Sequence, residues 1–581
     1  MPSPPAVVTL PAGDPARRRR CARLPTITAA LSPSLLPSLL RRAASVLAGP
    51  AGPAAVAAAA ALVCVVGGWR GPDVANQVYR VSQISRHGVV VWDAGWYGGT
   101  FPANYSLVFP VVAAVVGLWV TTLASAAVAA ACFDCLVRRA FGRRPAGSWY
   151  FALSTVVAVA VGQLAFLTGE ALALVALAAV ARRRRVLGAP LGVVTALASP
   201  VAAAFLGLAL VGWGLSAREE RVSRVVLGVV PVGAVGAVAL AFPGTGALPF
   251  GGANVICILI ICLLLASPLL PAPRPVRLAA ALYGLVSVAL FVVPTQMGNN
   301  DIRLAAYIGV PLVICYVGAR LVGPAGRWRP GPPERWRTAP AGRWILAVGV
   351  VPLIVWSWAP VDGAFGHRDI PAARPGFYQP LITQLRQRAP LPVRVEVTPT
   401  RDHWEAEWVA PAFPLARGWE RQLDRGYDPL FYGSGPLTAG AYHQWLLDAG
   451  VSFVALPNAP LDFAAVQEAA LLRAGRVPGL VPVWRSADWE LWRVSDSAGM
   501  AHGPARITTL QGDRVALRVG RRGPVTLKLR WSPYWSVPAG AGCLSRAPGD
   551  WTELHARAAG ALVMTASMVP GSASNCPAAE G

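Results

Sequence analysis

Apolar runs close to the ~20 residues that cross a bilayer recur along the first 360 positions of this chain. Hydrocarbon offers no partner to a backbone N–H or C=O, so each run must close its own hydrogen bonds as a helix. The runs fall near 47–69, 106–137, 147–167, 170–181, 225–241, 253–270, 278–294, 304–322 and 344–359. A hairpin at 186–216 is broken near Ser199–Pro200. Together they predict about eleven transmembrane helices, with spans 3 and 4 joined by a tight turn at "LTGEAL". With 55% hydrophobic and 14% charged residues, the chain is too poor in charge for a soluble protein of 581 residues.

A net charge of +24 raises nucleic-acid binding, but the distribution argues against it. Arginines cluster between apolar runs: Arg138, Arg139, Arg143 and Arg144, then Arg182 to Arg185, then Arg218, Arg221 and Arg224, then Arg327 to Arg343. Lysine occurs once, at Lys528, as in GC-rich genomes of the actinobacterial type. The loops near 138–144, 182–185, 218–224, 271–277 and 323–343 are basic. Those near 168–170, 242–252 and 295–303 hold one arginine between them. The positive-inside rule then puts the tail at 1–46 in the cytosol, with a short interfacial helix at 26–42. A transmembrane domain at 47–359 follows, with an outer loop at 70–105, and residues 360–581 lie outside a multi-pass plasma-membrane protein. No cleavage site follows a short apolar segment, so the first span is expected to stay as an anchor.

Beyond 360 charged residues and prolines rise. "GFYQPLITQLRQRA" and "AYHQWLLDAG" have helical spacing, "VRVEV" and "VSFVALP" read as strands, and "LVPVWRSADWELWRV" as a hairpin. Residues 360–498 are thus mixed α/β. From 499 to 581 strand follows strand at short spacing, as in a small β-sandwich with a tail. Cys543 and Cys576 are the two cysteines past the last apolar run, and an oxidising compartment predicts a disulfide between them.

The first outer loop carries the densest chemistry. Val74, Val78, Val81 and Ile84 have the spacing of an amphipathic helix on the outer membrane surface, with Gln77, Arg80, Gln83 and His87 elsewhere around it. Asp73 stands at its start, where a carboxylate also serves as a helix cap. "HGVVVWDAGWYGGTFPANYS" follows, with Asp93, Trp92, Trp96, Tyr97 and the glycines 95, 98 and 99. Its aromatics fit either a sugar-stacking loop or an interfacial belt. Glu170 sits at the span 3–4 turn, as a site acid or an N-terminal acid of span 4. "QMGNNDIRLAAYIGVPL" offers Asn299, Asn300, Asp301 and Arg303 before span 10. Arg303 is a cation where positive-inside logic predicts none, suited to a phosphate or to an ion pair with Asp301.

A long first outer loop with an Asp near its start, a surface helix and many spans resembles the GT-C class of membrane glycosyltransferases. The likeness covers mainly 47–322, and "PDVANQ" has one acid where many members have two. The C-terminal "LRWSPYWSVPAGAG" is similar to the outer segment of YfhO-type membrane proteins. The resemblance implies an outward site, a polyprenyl-phosphate sugar donor and a glycan acceptor in envelope assembly. It implies Asp73 as base, with Asp93 or Glu170 behind it. Arg303 with Arg80 or His87 would meet phosphate, with Trp92, Trp96 and Tyr97 against the sugar, and Asn299 and Asn300 nearby. A divalent metal stays open. The rival reading is a transporter, flippase or scaffold for lipid-linked glycans. Such a protein is expected to show charges at mid-membrane and internal repeats, whereas here the spans are nearly free of charge and no repeat is seen.

Several motifs carry less. Cys132 and Cys135 form a lone C-x-x-C on one helix face, read as packing. The six histidines have no zinc spacing, and no phosphate-binding glycine loop follows a strand. "RDHWEAEWVAP" and "ARGWERQLDRGYDPLFYGSG" are dense in Trp, Arg and acid, fitting glycan binding or a tryptophan-filled core.

Overall fold

The apolar runs fold as helices in the computed structural model, which describes residues 49–322, 340–365, 370–389, 392–568 and 575–576. The expected tail at 1–46, the surface helix at 26–42 and most of the basic loop at 323–343 lie outside the described residues. The helices are α1 (Gly52–Val66), α2 (Val74–His87), α3 (Val108–Val116), α4 (Leu118–Phe141), α5 (Ala146–Val161) and α6 (Leu164–Ala181). Then come α7 (Gly188–Ala198), α8 (Pro200–Ser216), α9 (Arg221–Ala241), α10 (Gly252–Ala266), α11 (Arg274–Val292), α12 (Val310–Val322) and α13 (Pro340–Phe365). A π-helical turn at Ala305–Gly309 leads into α12, making one apolar helical stretch from Gly298 to Arg320.

Among the described residues five stretches are long and apolar enough to cross a membrane: α4, α6, α9, α11 and Gly298–Arg320. Six further apolar helices have 10–17 residues. The chain is a membrane protein, with α6 at the centre of the bundle and α9 and α11 at its rim, 78%, 17% and 22% buried over their apolar windows. Two expectations change. The run at 106–137 is two helices, α3 and α4, parted at Gly117. The tight turn lies not at "LTGEAL" but at Gly162–Gln163, because Gly162 takes the left-handed backbone (φ 95°) that ends α5. Glu170 therefore lies in the second turn of a continuous α6.

The two ends of the bundle differ. At one, Arg144 holds Asp134 (2.9 Å), Arg182 donates to Cys135 Sγ (3.0 Å), and Arg185 and Arg224 both pair with Glu220. At the other, backbone bonds tie turns together: Asp73 N–H to Val161 O (3.0 Å), Leu107 N–H to Leu197 O (2.8 Å) and Leu248 N–H to Thr295 O (3.0 Å). The C-terminal part sits on this second end. Trp419 Nε1 donates to Pro72 O (2.8 Å), Gln422 Nε2 to Gln296 O (3.2 Å) and the Tyr534 hydroxyl to Ala241 O (2.9 Å).

That part begins with α14 (Pro375–Arg388), β1 (Arg394–Val397), α15 (Glu405–Trp408), α16 (Arg421–Tyr427), α17 (Ala439–Asp448), β2 (Val451–Pro457), α18 (Val466–Arg473), β3 (Leu480–Arg485) and β4 (Trp489–Val494). The sheet order is β1-β2-β4-β3, with β1 and β2 parallel and the rest antiparallel. Eight more strands follow: β5 (Ala501–His502), β6 (Ala505–Gln511), β7 (Arg514–Val519), β8 (Gly523–Arg530), β9 (Trp535–Ala539), β10 (Gly542–Ala547), β11 (Trp551–Ala556) and β12 (Gly560–Ala566). They form sheets β10-β11-β8-β5 and β6-β7-β12-β9, whose inward residues Leu517, Leu527, Leu554, Leu562 and Met564 share one core. A disulfide joins Cys543 to Cys576. Arg394, fully buried, binds Ala449 O (2.5 Å) and Lys528 O (2.6 Å) and so clamps the α/β part to the sandwich.

Candidate functional site

The aromatic loop after α2 is a fastening, not an open surface. Trp92 enters the sandwich core and meets Trp535 edge-on at 5.5 Å. Trp96 stacks on Tyr79 at 4.3 Å and donates to Ala406 O (3.2 Å). Tyr97 donates its hydroxyl to Glu420 O (3.1 Å), and its carbonyl accepts from Arg530 Nε (3.0 Å). Backbone bonds add Leu415 N–H to Gly95 O and Arg530 N–H to Gly98 O, both 2.8 Å. Trp92, Trp96 and Tyr97 are at most 2% exposed, so no ring face is left for a sugar. Gly99 is required because a Cβ there would lie 1.8 Å from the Trp92 ring.

Asp93 is equally occupied. It accepts from the Tyr79 hydroxyl (2.8 Å), Gly95 N–H (2.9 Å) and Gln83 Nε2 (3.2 Å), which explains a carboxylate in a buried hairpin without making it a base. The α2 helix does not lie in open headgroup space. It is wedged between the bundle and α15, and its polar residues Asn76, Gln77 and Arg80 are buried. Gln77 donates to the Tyr105 hydroxyl (2.8 Å). Arg80 donates to Asn76 Oδ1 (2.8 Å), pairs with Glu420 and lies over the Tyr105 ring at 4.5 Å, so its charge is spent. His87, at the far end of α2, is exposed beside a separate cleft with Arg86 and Gly512.

Asp73 is different. It precedes α2 but makes no side-chain cap, and its carboxylate has no hydrogen bond or ion pair among the described residues. It is half-buried. Burial pushes its pKa up to about 6, against the pull of three cations: Arg303, His403 and Arg421. The same field reaches Tyr105, whose hydroxyl is pushed up to about 12 by burial and by Asp73, with Arg303 and Arg80 opposing. Tyr307, which donates to Gln163 Oε1 (3.0 Å), lies in the field of Arg303, Glu170 and Asp73.

Arg303 is not paired with Asp301. Asp301 turns to α11, accepting from Ser287 (2.5 Å), and its carbonyl accepts from the Tyr283 hydroxyl (2.6 Å). Arg303 lies half-buried over the Phe166 ring at 5.1 Å, with no ion-pair partner among the described residues. The π turn directly after it widens the helix there, a feature common at functional sites. Asn299 is a structural link: it accepts from Asn254 (2.7 Å), which accepts from Trp356 (3.0 Å). Asn300 is half-buried on the same turn. Glu170 is 6% exposed inside α6, with Oε1 unpartnered, and its charge reaches Tyr307.

The C-terminal part supplies groups that sequence reasoning did not assign. His403 is 5% exposed with a left-handed backbone (φ 54°), a strained conformation for a side-chain residue. Burial favours its neutral form, yet Asp462 (3.5 Å) and Glu405 (3.4 Å) raise it to about 9, so it is a cation at neutral pH. Arg421 holds Asp462 in two bonds (2.6 and 2.8 Å) and donates to the Tyr432 hydroxyl (2.9 Å). Trp419, half-buried, is bonded to Pro72 O next to Asp73 and meets Tyr105 edge-on at 6.0 Å. The signal for these was the density of Trp, Arg and acid in "RDHWEAEWVAP" and "ARGWERQLDRGYDPLFYGSG". Among the described residues no group of three or more His, Cys, Asp or Glu could hold a metal ion.

No protein-family model matches the chain, and no curated protein does. Among solved structures it is similar to a cryo-EM structure of the arabinofuranosyltransferase AftD from Mycobacteria, at 14% identity and a TM-score of 0.41. The likeness covers 81% of this chain and 41% of that one. A structure of a mutant of the same enzyme aligns at 16% identity and TM-score 0.41, over 76% of this chain and 41% of that one. The chain thus spans less than half the length of these structures.

Proposed function

We propose that the chain is a membrane glycosyltransferase that moves a sugar from a polyprenyl-phosphate donor to a glycan hydroxyl in cell-envelope assembly. The observation that carries this reading is Asp73: a half-buried carboxylate with no bonded partner, poised near neutrality and facing three cations. That is the complement of groups an inverting sugar transfer needs. The acceptor oxygen bonds to the anomeric carbon as the bond from that carbon to the phosphate oxygen breaks. The electron pair leaves with the polyprenyl phosphate, and the acceptor proton passes to Asp73. Arg303, which has no ion-pair partner among the described residues, holds the phosphate at bilayer depth and stabilises the charge it gains, while His403 and Arg421, already paired with Asp462 and Glu405, add a weaker field. Trp419 is the ring platform, in place of the loop aromatics. Arginine asymmetry supports a cytosolic arginine end and an extracytoplasmic site.

The test is transfer of a labelled sugar by purified protein from a polyprenyl-phosphate sugar donor. Asp73→Asn should lower turnover by ~10²-fold or more, the scale of general-base catalysis, with donor binding kept. Arg303→Ala should instead weaken binding of polyprenyl phosphate. A well-folded Asp73→Asn protein with unchanged turnover would leave Asp73 a helix-start residue, since Asn caps as well as Asp, and would end the proposal.

A further inference from the structure

A cavity of about 950 Å³ opens at the arginine end, far from Asp73. It is at the upper end of the ~300–1,000 Å³ typical of small-molecule sites. Its walls are apolar, from α4, α6, α8, α10, α11 and the stretch leading into α12, with Leu177, Leu208, Ile261 and Leu312 among them. On α6 it runs from Leu174 to Ala181 and on α11 from Pro275 to Tyr283. At 1.5 Å per residue that is ~10–12 Å deep, less than half of the ~30 Å hydrocarbon core. The cavity therefore stays within one leaflet, the one opposite the proposed reaction site.

The mouth is cationic. Arg139, Arg183 and Arg218 line it, are exposed and have no ion-pair partner among the described residues. Two acids also line it. Glu220 is already neutralised by Arg185 and Arg224, leaving Glu219 against three arginines. Arg183 has a further distinction. Arg183 N–H bonds Val180 O and Arg184 N–H bonds Ala179 O at the end of α6, a pairing in which the first of the two donors is left-handed. Arg183 takes φ 63° there, at a position that glycine ordinarily fills. An arginine held in that strain at a cavity mouth is better explained by what it binds than by the turn it makes.

We infer that this cavity binds an anionic phospholipid of the adjacent leaflet, one acyl chain inside and its phosphate held by Arg139, Arg183 and Arg218. Apolar walls ~10–12 Å deep within one leaflet fit the upper part of the chain, and the unpaired cations fit the phosphate. The assignment does not depend on the transferase reading.

The test uses full-length protein, delipidated in neutral detergent. Phosphatidylglycerol and phosphatidylcholine with the same chains are added separately, and bound lipid is read by native mass spectrometry and the melting temperature. Phosphatidylglycerol should be retained at least tenfold better and should raise the melting temperature. Arg183→Gly should lose most of that preference while melting no earlier in lipid-free detergent, because glycine relieves the left-handed backbone. Leu208→Trp, which fills the cavity, should lose retention of the lipid altogether. Equal retention of the two lipids would overturn the inference. So would retention of polyprenyl phosphate but not phosphatidylglycerol, or the same stabilisation by inorganic phosphate alone, which would mean that no chain enters.

Discussion

The environment of Asp73 fixes a pH dependence that separates chemistry from scaffolding. With a pKa of about 6, the carboxylate is ready as a base only above that pH. It is ~91% ionised at pH 7 and ~9% at pH 5, so kcat/KM for transfer should fall roughly tenfold between them. An ordinary aspartate near ~3.9 would lose less than ~10% over the same interval. On the proposed mechanism the upper limb belongs to His403, whose charge adds to the field at the phosphate and which Asp462 and Glu405 hold up to about 9. The profile is therefore a bell with limbs near 6 and 9. Arg303→Gln removes the foremost of the cations that oppose the burial of Asp73, so the acid limb should move to higher pH. Stability has its own sign. A carboxyl raised by burial weakens the fold when ionised; the penalty is absent below ~3.9, grows with pH and is complete above about 6. At ~1.4 kcal/mol per pH unit it is at most about 3 kcal/mol, and Asp73→Asn removes it. The variant should melt no earlier than the parent at pH 7 while losing transfer. Transfer that is flat between pH 5 and 7, or an acid limb that falls in Arg303→Gln, would refute the assignment.

Three more outcomes follow from the geometry. Gly99→Ala should loosen the C-terminal part from the bundle, because its Cβ would fall 1.8 Å from the Trp92 ring and the backbone φ is 134°; limited proteolysis should release the sandwich sooner than in the parent, and an unchanged digestion pattern would count against the fastening. Cys543→Ser should lower stability by ~3 kcal/mol for a loop of this length, read as an earlier melt that reductant reproduces in the parent but no longer changes in the variant. A reporter active only in the cytosol, fused after residue 450, should be silent, whereas one fused in the Arg182–Arg185 loop should be active; the reverse would invert the proposed orientation.

What was legible in the sequence is what local periodicity controls. Apolar runs bounded by arginines translate into helices whose basic loops gather at one end, and Arg303 stood out because an arginine at the other end has no topological reason to be there. The α5–α6 turn was misplaced because Glu170 looks like a surface residue, while the true break depends on one left-handed glycine, Gly162. The aromatic loop was misjudged for a larger reason. Arg530 reaches Tyr97 across 433 positions and Trp96 reaches Ala406 across 310, so the partners that consume the loop's chemistry are invisible from the loop itself. His403, Arg421 and Trp419 lay in segments notable for their composition, but only the docking of that region onto the domain end of the bundle aims them at Asp73. A density of Trp, Tyr, Gly and Asp thus marked where two parts of the chain are fastened, and fastening leaves such groups satisfied. Reactivity needs the opposite. Asp93 accepts three hydrogen bonds and is at rest, whereas Asp73, one acid in a plain "PDVANQ", keeps a carboxylate that nothing bonded relieves. That difference in satisfaction, set by contacts hundreds of residues apart, is the reason for proposing Asp73 rather than Asp93 as the base.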